Sequence, residues 1–169
     1  MPCQHGQVIV SILQDRGEQL THLGWRKLHL DVDAENHEAI AVDLKAAFVG
    51  DAEVLPALLE SLPADGPVTA VAADGAYDTR TGHAALLNRQ AAALIPPRAD
   101  AVAWSPLADG RTHPRTAMVE HLRQQGSKSW KIESGYHRRS LAETAMFRLK
   151  TRFDDPLRNR RFDTQTTSA

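Results

Sequence analysis

The spacing of apolar positions changes along the chain, and each change marks an element. Val8-Ile9-Val10-Ser11-Ile12-Leu13 is a nearly continuous apolar run that reads as a strand, within residues 1–24, where little else is patterned. From Trp25 the chain alternates apolar and polar residues through Leu28, Leu30 and Val32 to Asp33, which predicts a strand. Ala39 to Leu44 reads as its antiparallel partner across the polar turn Ala34 to His37. Val54, Leu55, Leu58, Leu59 and Leu62 then recur at helical spacing, with Asp51 placed to cap the helix and Pro56 in or near its first turn. Pro63 and Gly66 stop that helix.

Val68 to Ala73 predicts a short strand that delivers Asp74 and Gly75 at its C-terminal end. Residues 79–90 read as a helix, 91–95 as a strand stopped by Pro96 and Pro97, and 99–113 as a loop. Pro114 to Gln125 reads as a helix closed by Gly126, and a last helix spans residues 136–152. The order is a mixed α/β pattern whose first two clear strands form a hairpin.

Bulk properties narrow the classes. The 169 residues suit one domain. No apolar run approaches the ~20 residues of a membrane helix, and the start has no basic cluster ahead of an apolar stretch. The one cysteine, Cys3, excludes an internal disulfide and suits a reducing, cytoplasmic setting. The net charge of −1 conceals a split. Residues 1–110 hold 7 Lys/Arg and 15 Asp/Glu, whereas residues 111–169 hold 13 Lys/Arg and 6 Asp/Glu. A basic half of this kind points to a polyanionic partner, or to a solvated basic surface against an acidic body.

The last helix carries the sharpest pattern. At about 100° per residue, Tyr136, Arg139, Glu143 and Lys150 fall within one stripe about 60° wide, with Leu141, Ala145 and Leu149 on the opposite side. A carboxylate flanked by cations suits phosphate chemistry, because Glu143 can bind a hard divalent cation while Arg139 and Lys150 hold phosphodiester oxygens. The same spacing also suits a surface helix in which Glu143 pairs with Arg139 at i,i+4. Asp74 is the second candidate: a carboxylate at the C-terminal rim of a sheet occupies a common site for ligands and metals. Two such groups could converge on Mg2+.

Several stretches together resemble the DDE-class transposases of bacterial insertion sequences. These are Trp25-Arg-Lys-Leu-His-Leu-x-Val-Asp33, Val49 to Pro56, Ala73-Asp-Gly-Ala-Tyr-Asp-Thr79, Ile95-Pro-Pro-Arg98, Trp130-Lys131, and Gly135 to Lys150 with its Tyr-x2-Arg-x3-Glu-x6-Lys spacing. The resemblance covers residues 25–165, leaving 1–24 unmatched and 166–169 as a tail. It implies an RNase H-like mixed sheet flanked by helices, and DNA strand cleavage and transfer that depend on Mg2+, with Mn2+ as a substitute. It also implies double-stranded DNA partners, namely transposon ends and target, and a homodimer. Asp74 and Glu143 would be catalytic metal ligands. Tyr136, Arg139 and Lys150 would contact DNA or phosphate.

The chain departs from that family at its start. No Asp-Ser/Thr-Thr block supplies the first catalytic Asp; Asp15 follows an apolar run but has the wrong neighbours, and Asp33 is the candidate for a third carboxylate. The expectation is therefore a truncated copy whose sheet is incomplete, lacks its first central strand and exposes a strand edge. Two other functions fit the same residues: a non-catalytic DNA-binding regulator of a full-length transposase, and a metal-dependent nuclease or phosphatase.

Overall fold

A computed structural model describes residues 7–15, 26–46, 48–62 and 68–153. Trp25, Pro63, Gly66, the segment 16–24 and the tail 166–169 lie outside the described residues. One five-stranded sheet has the order β3-β2-β1-β4-β5, formed by β1 (Gln7–Asp15), β2 (Arg26–Asp33), β3 (Ala39–Ala46), β4 (Ala70–Ala72) and β5 (Ala92–Leu94). β1 pairs antiparallel with β2 and parallel with β4; β2 pairs antiparallel with β3, and β4 parallel with β5.

This arrangement corrects the expectation of a missing central strand. The apolar run from Val8 is that strand, paired on both sides, with Val8, Ile9 and Val10 fully buried. A strand covered on both faces reads as a continuous apolar run rather than an alternation. The missing Asp-Ser/Thr-Thr block concealed its place in the sheet.

Each face of the sheet carries its own core. On one side Val8, Val10 and Val71 pack with Val54, Leu55, Leu58 and Leu59 of α1 (Asp51–Ser61) and with Leu86 of α2 (Arg80–Asn88). Full burial of side chains of this size contributes roughly 1.5–3 kcal/mol each. That helps offset Pro56, which lies in the second turn of α1 rather than the first and removes a helical hydrogen bond. Gly50, not Asp51, is the N-cap. On the other side Ile9, Leu30, Val32 and Ala72 pack against Ala142 and Met146 of α4 (Ser140–Phe153).

The helix after the long loop, α3 (Pro114–Glu133), breaks at Gly126 (φ 81°, ψ 161°), where a side chain would be strained, and then resumes. Residues 136–152 are not one helix. Tyr136–Arg139 form a 3-10 turn and α4 starts at Ser140. No helix among the described residues is long and apolar enough to cross a membrane.

Candidate functional site

β4 ends at Ala72, and the backbone stays extended through Asp74 (φ −79°, ψ 174°). The next three residues turn as a 3-10 helix, Gly75–Tyr77, and Asp74 caps it by accepting from the Ala76 N–H at 2.8 Å. Gly75 allows this tight exit: a Cβ there would meet the Pro96 carbonyl oxygen at 3.2 Å. One Asp74 oxygen is thus committed to the turn, and the other faces Arg139 on the 3-10 turn Tyr136–Arg139.

Arg139 stands between the two carboxylates foreseen from sequence. Its Nη1 donates to Glu143 Oε1 at 2.7 Å, and its Nη2 lies 3.6 Å from Asp74 Oδ2. Glu143 makes the i,i+4 ion pair expected of a surface helix, and it also faces Asp74 across one guanidinium. The three side chains are 24% (Arg139), 40% (Asp74) and 60% (Glu143) exposed, so the site is open to a ligand from solvent. Glu143 sits in the first turn of α4, where a negative charge complements the helix dipole.

The other foreseen residues fall differently. Tyr136 lies on the 3-10 turn, half-buried, with its ring 5.2 Å from that of Trp130 and packed against the α4-side core. Burial pushes its phenol pKa up, against the pull of Arg139. Lys131 Nζ lies 5.9 Å from the same ring. The backbone of Lys150 lies in α4, and its side chain is outside the described residues.

Asp33 is not brought to Asp74 and Glu143. It pairs with Val8, three residues short of the level of Asp74, about 10 Å along the strands. It also shares the face of Val8, away from α4. There it is 2% exposed and its carboxylate accepts from the Glu35 N–H at 2.8 Å.

The donor set tests whether Mg2+ would fit. Carboxylate oxygens are the right ligands for a hard cation, but here the two carboxylates already share a guanidinium, and no group of three His, Cys, Asp or Glu gathers among the described residues. Mg2+ in phosphoryl-transfer sites takes one or two carboxylates and completes its shell with water and phosphate oxygens. The residues described therefore do not fit a two-ion centre, and a single ion would have to displace Arg139.

A second constellation, four residues further on, had no counterpart in the sequence reading. Arg115 donates to both oxygens of Asp78, at 2.6 and 2.8 Å, and to the Val102 carbonyl at 2.8 Å. His83 Nε2 lies 3.0 Å from Asp78 Oδ1. Trp104 covers the group, stacked 4.2 Å from the Arg115 guanidinium and edge-on to His83 and His113. Burial opposes ionisation of Asp78, but hydrogen bonds from His83 and Arg115 and the Arg115 charge outweigh it and hold its pKa down at about 2. This clasp fastens the loop before α3 to α2. Its members are scattered from residue 78 to 115, and only folding brings them together.

The basic half is also smaller in effect than its sequence count. Arg115 is consumed by the clasp, Arg138 binds the Ala34 carbonyl and Gln7, and Arg139 holds the acidic pair. Lys128, Lys131, Arg148 and Arg152 remain exposed on α3 and α4. The family model described as the transposase DDE domain matches residues 14–168, and with a mixed sheet that sets an Asp at a strand end beside a Glu on the last helix, this chain belongs to the DDE transposase family.

Proposed function

We propose that this chain acts in DNA transposition by gripping double-stranded transposon-end DNA at the surface shared by α3 and α4, with Asp74 and Glu143 as the acidic pair facing the phosphodiester. The observation that carries this reading is the approach of those two carboxylates, from elements 69 residues apart in sequence, to one Arg139 guanidinium. Lys128, Lys131, Arg148 and Arg152 supply the phosphate attraction, joined by Arg139 when it leaves the carboxylates. Mg2+, when bound there, would supply charge stabilisation for phosphodiester cleavage and transfer. With the donor set described, cleavage by this chain alone is weak, and DNA binding is its main independent activity.

The test uses labelled transposon-end duplex with Mg2+ or Mn2+. We expect binding that falls steeply with salt, at a log–log slope of about −0.9 per phosphate contact, and little single-turnover cleavage. Affinity indifferent to salt would refute phosphate-driven binding. Efficient cleavage that Glu143→Gln abolishes would show that the acidic pair suffices as it stands. Sedimentation of the same samples tests the homodimer implied by family membership.

A further inference from the structure

The sheet has one short edge, the three-residue β5, and one long edge, β3. β3 pairs with β2 along one side, and no strand among the described residues lies against its other side. Its register shifts once, at the Asp31/Val32 step, and from Ala41 to Ala46 the ladder to β2 is regular. An edge of this kind presents a row of unpaired N–H and C=O groups, which natural proteins often guard with a charge, Lys above all. Here that guard is neutralised within the strand, because Lys45 Nζ lies 3.0 Å from Asp43 Oδ2. Apolar surface adds to the exposure: Val42 on the strand is 48% exposed, and Phe48 just past its end is 91% exposed.

We propose that this edge is a self-association surface, on which β3 of a second copy of this chain pairs antiparallel about a two-fold axis at Leu44. The charge pattern selects the occupant: Asp43-Leu44-Lys45 run backwards is its own complement. A two-fold contact is isologous, so each position on one copy meets a fixed position on the other. Directly opposed residues of an antiparallel pair share a face, which centres the axis on a residue. An axis at Asp43 or at Lys45 sets that charge against itself, and an axis at Val42 sets Asp43 against Ala41 and Lys45 against Ala39. The axis at Leu44 sets Asp43 of each copy against Lys45 of the other, and Val42 against Ala46 on the opposite face. Ion pairs closed within each strand are exchanged for pairs between strands, by side chains that are 26% (Asp43) and 37% (Lys45) exposed. Asp74, Glu143 and the exposed cations of α3 and α4 lie on other elements, so this proposal and the transposition reading fail independently.

Sedimentation equilibrium of the full chain is the test, run up to about 0.3 mM because a short strand pair makes a small, weak interface. Wild type should dimerise. Asp43→Lys and Lys45→Asp should each weaken dimerisation about tenfold or more, as two attractive contacts become two repulsive ones. Their equimolar mixture should recover the wild-type affinity as a heterodimer. A wild type that stays monomeric, charge reversals that leave dimerisation unchanged, or a mixture no tighter than its components overturns the proposal. If either variant does not fold, Val42→Cys with Ala46→Cys in a Cys3→Ser background reads the register instead. Within one strand those positions lie about 13 Å apart and cannot be bridged, whereas between copies they are level and inside the ~4.4–6.8 Å Cα window of a disulfide. A linked dimer that needs both new cysteines supports the proposal. A folded double variant that stays reduced, or one that links equally well with either cysteine alone, overturns it.

Discussion

Two Asp–Arg constellations begin four residues apart, at Asp74 and Asp78, and they differ in almost everything but chemistry. In the clasp the Arg115 and Asp78 side chains are 6% and 1% exposed, and Arg115 binds both carboxylate oxygens and a carbonyl. At the acidic site Arg139 reaches two carboxylates that are 40% and 60% exposed, one of them only at 3.6 Å, and its own Nε is buried without a partner among the described residues. A charge that is buried and fully paired fixes structure, because any rearrangement strands it in a poor dielectric. An open pair bound by one shared cation can exchange partners cheaply. The difference in burial, not residue type, marks the Asp74–Arg139–Glu143 group as the one free to exchange partners.

The largest effect should come from breaking the clasp. Arg115→Ala leaves Asp78 buried with only His83 and should cost about 3–5 kcal/mol in urea unfolding. A loss below about 1 kcal/mol would mean that the clasp does not hold the loop down.

A second test sets Asp78 against another buried carboxylate. Asp31 on β2 is fully buried, neither of its oxygens has a partner among the described residues, and burial pushes its pKa from 3.8 up to about 7. Because its folded value lies above its unfolded value, the folded state holds the proton more tightly. That stability is complete below about pH 4 and is lost as pH rises through about 7, a change on the order of 4 kcal/mol. Asp78 has the opposite sign: its contribution is present above about pH 4 and is lost as pH falls towards about 2. Stability measured against pH should therefore decline on both sides of a weakly acidic optimum. Asp31→Asn should flatten the neutral limb and leave the acid limb alone; a neutral limb unchanged in that variant would show that Asp31 does not cause it.

Smaller effects are expected at the open site. Arg139→Gln should change stability by less than about 1 kcal/mol while lowering the salt slope of DNA binding by about 1. A stability loss as large as that of Arg115→Ala would erase the contrast between the two groups. Smallest of all, Glu143→Gln should move stability by no more than about 0.5 kcal/mol and leave DNA affinity equal or slightly tighter, as a negative charge leaves the DNA-facing surface. A marked fall in affinity would place Glu143 in DNA contact rather than in the acidic pair.

Much of the fold was legible because it is written in local periodicity. The alternation through Leu28, Leu30 and Val32 marked β2, the spacing of Val54 to Leu62 marked α1, and Gly126 marked a break in helical backbone. Asp74 and Glu143 were legible as candidates through their motif. The stripe containing Tyr136 and Arg139 was legible only in part, because a 3-10 turn replaces the first turn of the supposed helix and folds Tyr136 into the core beside Trp130. The clasp was not legible at all, since Asp78, His83, Trp104 and Arg115 follow no common period.

The sequence by itself determined the succession of strands and helices and the family, and it offered Asp74 and Glu143 as separate candidates, because each of these rests on residues near one another in the chain. It did not determine which faces would be covered. Lys27, His29, Asp31 and Asp33 alternate with apolar residues as a wet face would, yet all four are buried, Lys27 against Asp51 of α1 and His29 against Tyr77. Only the tertiary structure decided that, along with the central place of β1. Strand pairing is set by hydrogen bonds between segments distant in sequence, and no local pattern encodes which segment lies alongside another.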